Sequence, residues 1–182
     1  MNILVCIKQV PDTTEIKIDP VKHTLIREGV PSIVNPFDAC ALEMAVRLKE
    51  KEGGKVVVIS MGPAQAKNAL KECLAVGADQ AFLVTDRAFG GSDTLATSYI
   101  LSRAIAAVET KTGEKFDLIF CGKQAIDGDT AQVGPEIAEH MDLPHVTLAT
   151  AVEMADGKLH VTRDTDEGHD LVEVSLPALV TV

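Results

Sequence analysis

The sequence is poor in aromatic side chains: it contains no tryptophan and one tyrosine, and aromatic residues make up 3% of the chain. Apolar residues nevertheless make up 46% of its 182 residues, so a buried core must be built mainly from Val, Ile, Leu and Ala. This composition favours a parallel sheet covered by Ala-rich helices. The length is typical of one domain with a sizeable core.

Basic runs and long apolar stretches are also missing. The formal net charge is −10, which argues against a nucleic acid or an anionic membrane surface as a partner. No apolar stretch approaches the ~20 residues that a membrane-spanning helix needs, and the first residues do not form a secretory leader. We therefore expect a cytoplasmic protein that binds no nucleic acid and is not inserted into a membrane.

The pattern of cysteine and histidine excludes common metal sites. The four cysteines are scattered through apolar surroundings with no Cys-x-x-Cys pair, and the five histidines have no ligand spacing. They are expected to be small core residues rather than ligands. A Walker-type phosphate loop is also missing. We expect no metal site.

Strand-like and helix-like segments alternate along residues 1–144, which predicts an α/β fold with a mostly parallel sheet and helices on both faces. The predicted strands are 1–10, 55–60, 80–85 and 116–121. The predicted helices cover about 36–50, the stretch after Pro63, about 20 residues from Ser92, and a segment from Glu136. Residues 16–31 are expected to form a surface hairpin. The whole chain is predicted to be a single nucleotide-binding domain, with a βα core over 1–144 and an antiparallel hairpin extension over 145–182.

The most informative segment is 122–135, GKQAIDGDTAQVGP, which follows a buried strand and leads into a helix. A glycine-containing loop between a strand and a helix is the arrangement by which α/β proteins hold nucleotides, since helix N-terminal N–H groups face the ligand. The alternative is an ordinary polar loop with an Asp or Thr helix cap. The candidate ligand-binding residues are Gly122, Gln124, Asp127, Gly128, Asp129, Thr130, Gln132 and Val133.

Other segments follow the predicted strands and could converge on the same edge of the sheet. The backbone near Cys6 could pair with an adenine edge, and the turn at Met61 and Gly62 permits close approach of a ligand. The helix start at Asn35, Pro36, Phe37 and Asp38 could contribute to the same site, but helix capping and the helix dipole explain its residue types equally well. A glycine pair precedes the polar helix start at Ser92, Asp93, Thr94 and Thr97, which could hold a pyrophosphate.

Taken together, these motifs resemble the β subunit of an electron transfer flavoprotein. The matching segments are 5–8 (VCIK), 35–38 (NPFD), 61–65 (MGPAQ), 122–132, 161–168 (VTRDTDEG) and 176–178 (LPA). The resemblance implies an adenine-nucleotide α-hydrolase-like (Rossmann-like) fold and a heterodimer with an α subunit. It also implies FAD or AMP in this subunit and electron transfer between NADH or an acyl-CoA-type dehydrogenase and an acceptor. No catalytic side chain is implied, because the flavin carries the redox step.

Within this family, FAD is expected rather than AMP, which is the alternative in the same pocket. Residues 86–97 resemble the version in anaerobic, NADH-linked members, and Asp38 stands where many AMP-binding members have Cys. Any electron-bifurcating activity would then belong to the αβ complex. The resemblance also implies that family members continue for several dozen residues beyond 176–182. This chain is therefore expected to be a truncated product, with a natural short form as the alternative.

Two other functions remain open at this point. One is a nucleotide-binding sensor of the universal stress type on the same fold, although its late Gly-x-x-Gly phosphate loop is not found here. The other is an adenylating enzyme, which would place the phosphate loop after the first strand. Flavin absorbance of the purified protein would separate both from an electron-transfer subunit.

Overall fold

The computed structural model describes residues 1–12 and 31–182. Its main sheet has six parallel strands, β1 (Asn2–Cys6), β4 (Lys55–Met61), β5 (Gln80–Val84), β6 (Leu118–Cys121), β7 (His145–Val146) and β11 (Ala178–Thr181). Their spatial order is β5-β4-β1-β6-β11-β7. The chain proceeds outward from β1 through β4 to β5 and then returns to β6 on the other side of β1. The carboxyl ends of β1 and β6 therefore flank the point where the strand order reverses, which is the usual ligand crevice of such sheets.

Helices cover both faces of this sheet, as predicted from the alternation of apolar segments. On one face, Ile3 and Val5 pack with α1 (Pro36–Glu52) and α2 (Lys67–Val76). On the other face, Leu4 and Cys6 pack with α3 (Thr94–Thr112) and α4 (Val133–His140). Because successive side chains of a strand point to opposite faces, each apolar strand contributes to both cores. The predicted fold class is confirmed.

The helix boundaries follow local chemistry. Pro36 occupies the first turn of α1, where a missing N–H costs nothing. Gly53 (φ 71°) and Gly77 (φ 145°) follow the ends of α1 and α2, in backbone conformations that favour glycine. Short 3-10 turns at Ala64–Ala66 and Arg87–Phe89 precede α2 and α3.

A second, antiparallel sheet contains β8 (Ala149–Ala155), β9 (Lys158–Thr165) and β10 (Gly168–Val174). Its buried residues Leu159 and Val161 belong to the core on the α1 face. The hairpin prediction is thus correct for 149–174, but β7 and β11 belong to the main sheet. Val180 pairs in parallel with both Phe120 and Val146. The extension assigned to 145–182 therefore contains two strands of the parallel sheet, and β8–β10 connect them where a crossover helix is usual.

The first predicted strand was too long. β1 ends at Cys6, and Gln9–Pro11 forms a separate strand, β2, paired antiparallel with β3 (Ser32–Val34). Pro11 is the last residue of β2, a position that a residue without an N–H tolerates. Nearly all of the hairpin predicted at 16–31 lies outside the described residues.

Candidate functional site

A cavity of about 890 Å³ opens at the carboxyl ends of β1, β4 and β6. One part is bordered by the loop 122–134 and another by residues 85–97. The cavity brings together most of the candidate residues: Cys6, Asn35, Asp38, Met61, Gly62, Ser92, Asp93, Thr94, Thr97, Gly122, Gln124, Gly128, Thr130, Gln132 and Val133. Pro36, Phe37, Asp127 and Asp129 are not part of its lining.

Asn35 holds the candidate loop rather than capping α1. Its side chain, 1% exposed, makes no capping hydrogen bond. Instead Nδ2 donates to the Gln124 carbonyl (2.8 Å), and Oδ1 accepts from the Ile126 N–H (3.2 Å). The capping interpretation was wrong because the loop, almost 90 residues further along the chain, offers both a donor and an acceptor to this amide.

Asp38 connects the ends of β1 and β6 beneath the cavity. Its Oδ2 accepts from the Lys8 N–H (2.7 Å) and its Oδ1 from the Gly122 N–H (3.2 Å). Burial raises the pKa of Asp38 to about 7, although the hydrogen bonds from Lys8, Asn35 and Gly122 act in the opposite direction. The carboxyl group of Asp38 therefore has a pKa near neutrality. Its two hydrogen bonds position the ends of β1 and β6.

Gly122 is required by this close approach. A Cβ at this position would lie 2.3 Å from Asp38 Oδ1 and 2.8 Å from the Phe37 carbonyl carbon. The backbone of α1 thus packs directly against Gly122, at the end of β6. Any side chain at residue 122 would prevent this contact. Gly128, by contrast, has nothing within 4 Å of an added Cβ.

The acidic residues of the loop bind other side chains rather than pointing into the cavity. Asp127 Oδ1 accepts from Lys8 Nζ (2.6 Å), and Asp129 Oδ1 accepts from Gln124 Nε2 (2.7 Å). Asp129 (φ 49°) and Ala131 (φ 55°) both adopt left-handed backbone conformations. Such conformations cost of order 1–3 kcal/mol for non-glycine residues and concentrate at functional sites. The loop that contains these two residues is held by hydrogen bonds from Asn35, Lys8 and Gln124.

The opposite wall begins with the N-terminus of α3. Asp93 caps this helix by accepting from the Ala96 N–H (2.8 Å). Ser92 donates to the Phe89 carbonyl (2.9 Å) and Thr94 to Glu136 Oε1 (3.1 Å). Thr97 also lines the cavity, and within 1–12 and 31–182 its hydroxyl donates no hydrogen bond to protein. Two of the three hydroxyls proposed for a pyrophosphate thus have protein partners in this conformation.

Basic side chains in the cavity were missed by sequence reasoning. Lys8, Arg87 and Lys123 all contribute to its lining. Lys123 Nζ also lies 5.5 Å from the centre of the Phe37 ring, so Phe37 contacts a lining residue although it is not part of the lining itself. Their positions in the sequence could have indicated this role, because Lys8 and Lys123 each come shortly after the end of an inner strand. Lys8 is paired with Asp127, so Arg87 and Lys123 are the basic side chains of the lining that are suited to an anion.

This combination of a doubly wound parallel sheet, a cavity at its reversal point, two helix N-termini and basic side chains defines an α/β protein with a crevice suited to a phosphate-bearing ligand. No helix within residues 1–12 and 31–182 has both the length and the apolar character of a membrane span.

Comparison with known proteins gives the family. The electron transfer flavoprotein domain matches residues 22–182. The chain is 60% identical over 181 residues to electron transfer flavoprotein subunit beta of Thermoanaerobacterium thermosaccharolyticum, with all of this chain and 67% of the relative covered. It is 59% identical over 181 residues to the subunit beta of Clostridium acetobutylicum, again over its whole length and 68% of the relative. It is 54% identical over 182 residues to the caffeyl-CoA reductase-Etf complex subunit CarD of Acetobacterium woodii, with all of this chain and 68% of the relative covered.

The chain therefore belongs to the electron transfer flavoprotein family, and within it to the β subunits. Electron transfer is the function that this family implies, and the predicted resemblance is confirmed. These matches do not favour the universal stress alternative.

Proposed function

We propose that this chain binds FAD in the cavity described above and, with an electron transfer flavoprotein α subunit, passes electrons between NADH or a dehydrogenase and an acceptor. The observation that carries the FAD assignment is the continuity of the cavity. It extends from the loop 122–134 to residues 85–97 and includes Cys6, Ile59 and Met61 between them.

The size of the cavity supports a dinucleotide. Small-molecule sites typically enclose ~300–1,000 Å³, and this one, at about 890 Å³, lies near the upper end. AMP in the same pocket, the alternative, would need only the part beside 122–134. FAD would also use the part beside 85–97, where the α3 N-terminus is suited to a phosphate group.

The residues present fit such a ligand. The hydrogen bonds of Asn35 to the loop and of Asp38 to Gly122 would hold the loop against the adenosine portion. Arg87 and Lys123 would offset phosphate charge. Thr97 would donate its hydroxyl to the ligand. Apolar side chains of β4 and α3, Ile59 and Leu101, would exclude water from the interior of the cavity. The flavin, when bound, supplies the redox chemistry that this chain's own side chains do not perform.

Thr97 allows FAD to be distinguished from AMP. We expect Thr97→Val to weaken FAD binding several-fold and to leave AMP binding unchanged, measured by titration calorimetry. Thr110→Val is the matched control, because Thr110 lies on the same helix and donates to the Ala106 carbonyl, away from the cavity. Equal affinities for FAD and AMP, with no effect of Thr97→Val on either, would contradict the FAD assignment.

The proposed α-subunit partner is tested by forming the heterodimer. The chain is mixed with an α subunit of the family, the heterodimer is isolated by size-exclusion chromatography, and the nucleotides released on denaturation are counted. We expect two flavins per heterodimer. One flavin and one AMP would overturn the FAD assignment and leave the family intact, whereas failure to associate would overturn the partner proposal.

A further inference from the structure

Two cysteines lie side by side at the base of the cavity. Cys6 ends β1 and Cys121 ends β6, and these neighbouring parallel strands place the two residues directly opposite each other. Both side chains belong to the core on the α3 face and both contribute to the cavity lining. They are 8% and 5% exposed. A dithiol thus faces the same space that the proposed nucleotide would occupy.

The geometry suits a bridging atom better than a direct disulfide. Neighbouring strands lie ~4.8 Å apart and opposite side chains in a parallel pair point the same way. A disulfide needs its Cβ atoms to converge to about 3.8 Å around an S–S bond of about 2.05 Å. Opposite Cβ atoms held at the strand spacing lie farther apart than about 3.8 Å, and Cys6 and Cys121 are both free thiols. An atom bonded to both sulfurs would bridge the gap with the strands in place.

We propose that Cys6 and Cys121 form a dithiol site for a trivalent arsenical or a similar thiophilic centre, entered through the cavity and mutually exclusive with a bound nucleotide. The reaction with an arsenoxide is balanced without an oxidant. Two S–H bonds and the arsenic–oxygen double bond break, two arsenic–sulfur bonds form, and the oxygen leaves as water with both thiol protons. Arsenic and sulfur keep their oxidation states.

The other two cysteines provide natural controls. Cys40 is exposed on α1, so a reagent that attacks single thiols should modify it first. Burial raises the pKa of Cys73 to about 12, and this residue packs in the core on the α1 face, away from the cavity. A hydrogen bond with Cys6 and burial both raise the pKa of Cys121, which slows attack by single-thiol reagents. A reagent that bonds two sulfurs should therefore select Cys6 and Cys121, because these two cysteines lie directly opposite each other.

The test uses phenylarsine oxide on the 182-residue chain carrying Cys40→Ser. We expect one adduct per chain by intact mass spectrometry, removed by a dithiol but not by a monothiol. Protease digestion should map a bridge between the peptides that contain Cys6 and Cys121. Adding Cys6→Ser or Cys121→Ser should abolish the adduct, whereas adding Cys73→Ser should leave it. A bridge at other residues, or no adduct on the folded chain, would overturn the dithiol site. This mapping does not depend on whether the serine variants fold.

A competition experiment tests whether the arsenical and the nucleotide occupy the same cavity. This part of the inference rests on the proposed function. Saturating FAD or AMP, with binding verified by calorimetry, should slow adduct formation at least tenfold. An unchanged rate with nucleotide bound would overturn mutual exclusion. A mapped bridge together with no nucleotide binding at all would instead count against the proposed function and support the dithiol site.

Discussion

The N–H of Gly122 donates to the carboxylate of Asp38, and the same contact leaves no room for a side chain on residue 122. The two residues are 84 positions apart in the sequence. Through Asp38, the first turn of α1 is linked to the ends of both β1 and β6. The shape of the candidate site therefore depends on one buried carboxyl group and one glycine that accommodates it.

Asp38→Asn should change how stability depends on pH. A carboxyl group whose pKa rises from 3.8 in the unfolded chain to about 7 in the folded protein stabilises the fold below about pH 4. That contribution declines as the pH rises to about 7, because only the folded state still binds the proton. The wild-type advantage over Asp38→Asn should therefore shrink between pH 4.5 and 7.5 in urea unfolding. Asp170→Asn, at an exposed carboxyl group, is the control. If the stability of both variants depends on pH in the same way as that of the wild type, Asp38 does not link stability to pH.

Gly122→Ala should be strongly destabilising, whereas Gly128→Ala should not. The first adds a Cβ 2.3 Å from Asp38 Oδ1 and 2.7 Å from the Asp38 backbone nitrogen, and the second adds one with nothing within 4 Å. Overpacking of this kind costs about 1–3 kcal/mol, while exposed changes stay within about 0.5 kcal/mol. Chemical unfolding of the two variants measures the difference. Equal stabilities would rule out the steric role of Gly122.

Gly128→Val should reduce nucleotide binding without affecting the fold. Gly128 lines the cavity, and an added side chain there meets open space rather than protein. The isopropyl group would occupy volume that the proposed ligand needs. Calorimetric titration with FAD and AMP should show at least a tenfold loss, with an unchanged melting temperature. Retention of wild-type affinity would mean that this part of the loop does not contact the ligand.

Asn35→Ala should destabilise the chain and loosen the loop 122–134. It leaves the Gln124 carbonyl and the Ile126 N–H without their side-chain partner, and an unsatisfied polar group costs about 1–3 kcal/mol when buried. Hydrogen exchange of the Ile126 amide should accelerate together with a loss of stability. Asn68→Ala, on the exposed side of α2, should change neither quantity. Normal protection of Ile126 in Asn35→Ala would exclude this role.

The position of the cavity could be predicted from the sequence, but the roles of the side chains that shape it could not. The alternation of strands and helices predicts that Cys6, Met61 and Gly122 lie at or near the carboxyl ends of strands, and a parallel topology brings those ends to one edge of the sheet. The roles of Asn35 and Asp38 could not be predicted, because their partners lie in loops far away in the sequence. Local capping chemistry accounts for the same residue types equally well.

The position of β11 could not be predicted for a related reason. Its four residues, Ala178–Thr181, follow a hairpin region and show no pattern that distinguishes a parallel strand from a further antiparallel one. All four are buried because the strand fills the gap between β6 and β7. Only the pairing of Val180 with Phe120 and Val146 reveals this.

The insertion of β11 between β6 and β7 also has a consequence during synthesis. Residues 122–177 must leave the ribosome after β6 and before β11, and at ~5–20 residues per second this takes several seconds. During that interval, one edge of β6 lacks the strand that covers it in the finished protein. Unpaired strand edges readily associate with other chains. The nascent protein thus passes through a period of aggregation risk that ends only when its last described strand is in place.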